Sequence, residues 1–168
     1  MPGIAVARRM LWMAAGEPGG RGGRVFLEFT GEAVVCGTPA AVWRALRDDA
    51  VVPRLLPAAR EMRRTAPGAY EGPLLVGRTP LVRRHPARVQ ISGDPLAFSV
   101  WVQGTERDDP LTIRVACTLA MDGQGTRLRY RVTAELGPLG RLLGGGATQR
   151  LIAEFFRELE AVLQAGSC

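Results

Sequence analysis

The stretch "LTIRVACTLAMDGQGTRLRYRVTAELGPLGRLLGGGATQRLIAEFF", residues 111–156, changes its apolar period once, and that change decides the fold. Up to Leu136 the apolar residues come at every second position. Leu111, Ile113, Val115, Cys117, Leu119 and Met121 share one face. Leu128, Tyr130, Val132, Ala134 and Leu136 share a face of the next run, with Arg127, Arg129, Arg131, Thr133 and Glu135 opposite. Strict alternation marks antiparallel strands with one buried and one solvated face. Asp122-Gly123-Gln124-Gly125 supplies the turn between them. Beyond Pro138 the period becomes helical: Leu151, Ile152, Phe155, Phe156, Leu159 and Leu163 predict one long amphipathic helix over about 138–164.

Upstream, "RVFLEFTGEAVV" reads as a strand with Leu27, Phe29, Gly31, Ala33 and Val35 on one face. Thr38-Pro39 follows as an N-cap with proline at the first helical position, then "AAVWRAL" as a short helix. "AVVPRLLP", 50–57, reads as a second short helix closed by Pro57. Turn signals then divide the chain into strands at about 58–65, 69–77, 80–92, 96–105, 110–121 and 125–136. The order is strand, two short helices, six strands, long helix. An antiparallel sheet of that length must curl, and its apolar face needs a cover that only the long helix is large enough to give. We expect one α+β domain over 24–164, a seven-stranded sheet curled around the helix, and an unstructured extension at 1–23.

Composition excludes several functions. All 22 basic residues are arginine. Without lysine there is no phosphate-binding loop of the Walker type and no Schiff-base chemistry. Gly144, Gly145 and Gly146 therefore read as a thinned part of the helix, where a break or bend is expected. Residues 1–24 carry four arginines and one glutamate, half of the net charge of +6. The remaining charges read as interspersed rather than as the basic stripe that nucleic acid requires. The extension's Arg8, Arg9, Arg21 and Arg24 fit peripheral contact with an anionic membrane surface. Three cysteines without CxxC spacing and a single histidine argue against a zinc cluster and for reduced thiols in a cytoplasmic protein. Asp48-Asp49 and Asp108-Asp109 are adjacent pairs whose carboxylates diverge, so they read as terminators of elements.

Three stretches carry a family resemblance. "LEFTGEAVVCGTPAAVWRAL" (27–46), "LLPAAREMRRTAPGAYEGPLLVG" (55–77) and "GTRLRYRVTAELGPLGRLLGGGATQRLIAEFFREL" (125–159) resemble the carbon monoxide dehydrogenase G-subunit family. That family lies within the START-like, birch-pollen-allergen-like helix-grip superfamily. The resemblance implies a helix-grip fold with a hydrophobic cavity between sheet and helix, for a lipid-like or quinone-like small molecule. It also implies an accessory role beside a carbon monoxide dehydrogenase-type molybdenum hydroxylase, in maturation, membrane recruitment or electron transfer to quinone, in the cytoplasm or peripherally at the inner face of the membrane.

On that reading the ligand-binding residues are Phe98, Val100, Val102, Ile113, Val115, Tyr130 and Val132 on the sheet. Gly144, Gly145, Leu151 and Phe155 face them from the helix. Counting back by twos from Val89 adds His85 and Arg83 as polar groups, unless Pro86 shifts the register or Val82-Arg83-Arg84-His85 forms an exposed turn. Trp43 reads as a core anchor or a lid at the cavity mouth. Two alternatives stay open: a helix-grip enzyme of cyclase or hydrolase type working in the same cavity, and an interaction protein whose core is filled. No nucleophile–base spacing supports the enzyme.

Overall fold

The structure is a computed structural model, and it describes residues 11–12, 25–78, 81–108 and 110–165. Among these the elements are β1 (Leu11–Trp12), β2 (Val25–Cys36), α1 (Pro39–Arg47), α2 (Val52–Leu55), β3 (Arg63–Ala66), β4 (Ala69–Arg78), β5 (Leu81–Gly93), β6 (Ala97–Gly104), β7 (Leu111–Asp122), β8 (Gly125–Leu136) and α3 (Pro138–Ala165). The strands form one antiparallel sheet in the order β1-β2-β8-β7-β6-β5-β4-β3. The first long strand, β2, thus closes against the last, β8, and the remaining strands form a meander. Asp109 and the arginines Arg8, Arg9, Arg21 and Arg24 lie outside the described residues.

Two boundaries differ from the sequence reading. The sheet has eight strands rather than seven, because Leu11 and Trp12 pair with Thr30 and Phe29 as an edge strand. The strand expected at 58–65 is a 3-10 turn over Pro57–Ala59 followed by the short strand β3. Ala58, Ala59 and Met62 are buried there, in a turn that packs on β4 and α2, so tertiary packing overrides strand propensity.

Local chemistry accounts for the joints. Thr38 caps α1, its hydroxyl accepting from the Ala41 N–H at 3.2 Å with Pro39 in the first turn. Gly68 turns β3 into β4 at φ 73°, a backbone angle that favours glycine. Asp48 ends α1, and its carboxylate accepts from the Ala50 N–H at 2.9 Å. Asp49 accepts the Tyr70 hydroxyl at 2.9 Å and pairs with Arg64 at 2.9 Å. Asp48 therefore terminates α1, as expected, while Asp49 tethers it to β3 and β4.

The core lies between the inner sheet face and the helices. Leu128, Val132, Leu159 and Val42 are fully buried. α3 approaches β2 most closely, reaches β4, β8, α1 and α2, and stands farther from the sheet centre. It runs through 144–146 as one helix, so of the expected break or bend the break is absent. The side chains of 138–149, 151 and 152 lie outside the described ones. On the outward face, Arg127 and Arg129 pair with Glu32, and Arg131 lies 3.6 Å from Glu28. The Arg129 and Arg127 guanidinium groups hold the Glu32 carboxyl below its usual range. These arginines form a solvated strand face, as the alternation of β8 requires.

Candidate functional site

Strand register brings the expected lining residues together. Tyr130, Cys117 and Phe98 are cross-strand partners; so are Val132, Val115 and Val100, and then Ala134, Ile113 and Val102. These are three consecutive inward rungs across β8, β7 and β6, and seven of the residues singled out from sequence sit on them. The two-residue side-chain period of a strand makes such a patch legible without knowledge of the fold.

The helix meets this patch through aromatic rings. Phe156 lies 4.8 Å from the Tyr130 ring, and Phe155 stands edge-on to Phe156 at 5.3 Å. Leu159 and Leu163 anchor the rest of α3 in the core. Trp43 of α1 reaches the Phe98 ring at 6.2 Å and carries the Arg47 guanidinium over its own outer face at 5.4 Å. It is half-buried and packs against the core, which makes it an anchor.

Burial within the patch is uneven. Val132, Phe98, Val100, Val102 and Tyr130 are buried, whereas Ile113 and Val115, on the central strand, remain only half-buried. Leu27, Phe155 and Phe156 are also half-buried. Apolar side chains enclosed by a sheet on one side and a helix on the other would be fully covered in a close-packed interior. Ile113, Val115, Leu27, Phe155 and Phe156 therefore keep apolar surface that is not fully covered.

The polar candidates separate. The β4–β5 ladder keeps one register throughout, with Pro73 opposite Pro86, so proline shifts nothing. His85 is accordingly inward and buried at 5% exposure, opposite Leu74. Its Nδ1 lies 3.2 Å from the Pro86 carbonyl, an acceptor, so Nδ1 carries the proton in that bond. The imidazole covers Gly104, where a Cβ would come within 2.8 Å of Cε1. Arg83 is exposed instead and does not join the buried row. Gly144, Gly145 and Leu151 belong to α3, but their side chains fall outside the described ones.

The thiols also divide. Cys117 is free and buried, and burial pushes its pKa up to about 12. Cys36 is disulfide-bonded, which corrects the expectation of reduced thiols throughout. Among the described residues no group of acidic, histidine or cysteine side chains could hold a metal ion, and no helix is long and apolar enough to cross a membrane.

A trough of about 990 Å³ crosses the sheet at the Gly31–Tyr130–Cys117–Phe98–Gly93 rung. Its lining includes the outward neighbours of those residues, among them Thr30, Glu32, Ser99, Ala116, Thr118 and Arg131. It includes none of the inward residues two positions away, so the trough lies on the outward face. Small side chains (Ala97, Ser99, Ala116) leave it shallow and open, and it encloses nothing. Sequence reasoning had no signal for it, because alanine and serine on a solvated face carry no periodicity.

The model of the carbon monoxide dehydrogenase G-subunit (CoxG) family matches residues 31–164, most of the chain. The chain belongs to the CoxG family. Solved structures agree in architecture. A conserved protein from Geobacillus kaustophilus superposes with a TM-score of 0.71 at 20% identity, covering 83% of this chain and 96% of its own. A protein from Chromobacterium violaceum gives 0.63 at 15% identity, over 81% and 96% of the two chains. Ara h 8.0201 gives 0.60 at 15% identity, over 83% and 99%. At these identities the likeness shows the fold, which is the helix-grip fold. No curated protein matches the chain.

Proposed function

We propose that this CoxG family member is a non-enzymatic carrier of a hydrophobic small molecule, lipid-like or quinone-like. The molecule is held between the β6–β8 rungs and α3. The observation that carries the proposal is the half-buried state of Ile113, Val115, Phe155 and Phe156 inside a sheet–helix sandwich. Ligand pockets are predominantly apolar with few polar groups, and this patch has that character. Family membership supports the finer part of the reading. The carrier works as an accessory factor to a carbon monoxide dehydrogenase-type molybdenum hydroxylase, in the cytoplasm or at the inner membrane face.

An enzymatic reading has less to stand on. Cys117 is held as the thiol, which is not the nucleophilic form. The carboxylates Asp48 and Asp49 are engaged in capping and ion pairing.

The test is a titration of the delipidated full chain with decylubiquinone and, separately, oleic acid, followed by tryptophan fluorescence. Trp43, in contact with Phe98 beside the patch, is the reporter. A saturable change with one or the other is expected. Linear, non-saturating behaviour with both would remove the carrier reading.

A further inference from the structure

The body's excess positive charge is concentrated in one segment. Residues 39–66 hold six arginines against Asp48, Asp49 and Glu61, a surplus of three. That equals the whole surplus of residues 25–168, where eighteen arginines face fifteen carboxylates. The rest of the body is therefore neutral in balance, and the interspersion read from the sequence does not hold here.

The structure shows how few of these charges are spent internally. Among the described residues, Arg64 pairs with Asp49, and Glu61 is taken by Arg84 from β5. Arg44, Arg54, Arg60 and Arg63 are exposed, and among the described residues no carboxylate lies within ion-pairing distance of them. Arg47 is exposed, lies over the Trp43 ring, and among the described residues pairs with no carboxylate. The contrast with β8 is direct, since each of its three arginines has a carboxylate partner on the outward face.

These groups sit on connected elements. Arg44 and Arg47 lie three residues apart on α1, and α1, α2 and the 3-10 turn pack in succession. The Tyr70–Asp49–Arg64 contacts tie the end of α1 to β3. Arg64 reaches that joint through its pair with Asp49. None of the exposed large apolar side chains (Phe26, Leu96, Trp101, Met121) belongs to this segment.

We infer that the α1–α2–β3 face is a docking surface for an acidic protein surface, the carboxylates of the partner meeting Arg44, Arg47, Arg54, Arg60 and Arg63. Planar guanidinium groups match carboxylates in bidentate geometry. The Asp48, Asp49 and Glu61 carboxylates among them give the face a mixed pattern. Such a pattern fits a partner with charges at fixed positions better than a uniformly anionic bilayer, and no apolar anchor is present among the described residues of the face for a bilayer to take up. Contacts of this kind set association rate and specificity and weaken with salt. The inference rests on the accessory role proposed above, which supplies the partner.

The experiment compares the parent chain with a R44E/R47E/R54E/R63E variant, all at exposed positions. Binding to the purified carbon monoxide dehydrogenase-type hydroxylase of the same source is measured by interferometry at 50 and 300 mM salt. Phosphatidylglycerol/phosphatidylcholine vesicles serve as the second probe, and ligand load by native mass spectrometry as the third readout. We expect hydroxylase binding at low salt, at least tenfold weaker in the variant and in high salt, with unchanged ligand load and circular dichroism. Equal binding of parent and variant to the hydroxylase overturns the docking face and leaves the accessory role standing. No binding of the parent overturns both, while a retained ligand preserves the carrier reading. Charge-dependent binding to vesicles alone replaces the acidic protein by a lipid surface.

Discussion

The phenol of Tyr130 occupies the space that a side chain on its cross-strand partner Gly31 would need. A Cβ at position 31 would stand well inside van der Waals contact of the hydroxyl and the ring carbons. The glycine thus lets the Tyr130 ring lie flat across β2, where Phe156 of α3 stacks on it at 4.8 Å. Sheet and helix are coupled at this point, at one edge of the proposed ligand space.

Gly31→Ala is expected to lift the Tyr130 ring off β2 and disturb its contact with Phe156. Overpacking of this kind costs about 1–3 kcal/mol. Urea denaturation followed by circular dichroism measures it. A variant as stable as the parent would show that the ring is not confined as described.

Thr126 is fully buried and donates its hydroxyl to the Gly37 carbonyl at 2.7 Å, tying the start of β8 to the β2–α1 turn. Thr126→Val keeps the shape and leaves that carbonyl without its donor. The loss is expected to be about 1–3 kcal/mol of unfolding free energy. An unchanged denaturation midpoint would contradict the tether.

Tyr70 is buried beside Asp49, and desolvation with the Asp49 hydrogen bond and charge pushes its pKa up to about 12 from 10.0. The folded state therefore keeps its proton where the unfolded state has lost it. The contribution to stability is complete below pH 10.0 and is lost as pH rises through about 12. Phenolate absorbance should show a step near 12 that Tyr70→Phe removes. A Tyr70 step near 10 would contradict the buried pair.

Cys117 has the same sign: burial raises its pKa from 9.0 to about 12, so at pH 8 the folded chain presents the thiol. Labelling with iodoacetamide at pH 8 should be slow in the native chain and fast in urea. Rapid native labelling at Cys117 would show that the interior is open to solvent at that rung.

Much of this arrangement was legible beforehand, and the reasons are physical. Residues on β6–β8 alternate strictly because one face is buried, so Phe98, Val100, Ile113, Val115 and Tyr130 could be assigned to one patch before the register was known. His85 followed from the same count. Arg83 obeys the count too, yet lies exposed, since a two-residue period says nothing about how far along a strand the cover extends. The 58–65 segment misled because Ala58, Ala59 and Met62 are apolar for burial in a turn packed on β4 and α2, not for pairing as a strand. Leu11–Trp12 is too short to show any period. The arginine face escaped notice because its members come from three elements, and their lack of partners is visible only once Glu61 and Asp49 are seen to be taken.

The central claim is that a hydrophobic small molecule occupies the space above Ile113 and Val115. Native mass spectrometry with solvent extraction, on the full chain purified from its own source, tests it most directly when paired with Val115→Trp. The account predicts a co-purifying lipid or quinone on the parent and its loss from the variant, with the fold retained by circular dichroism. A parent chain that carries no such molecule, or a variant that carries it equally, would contradict it.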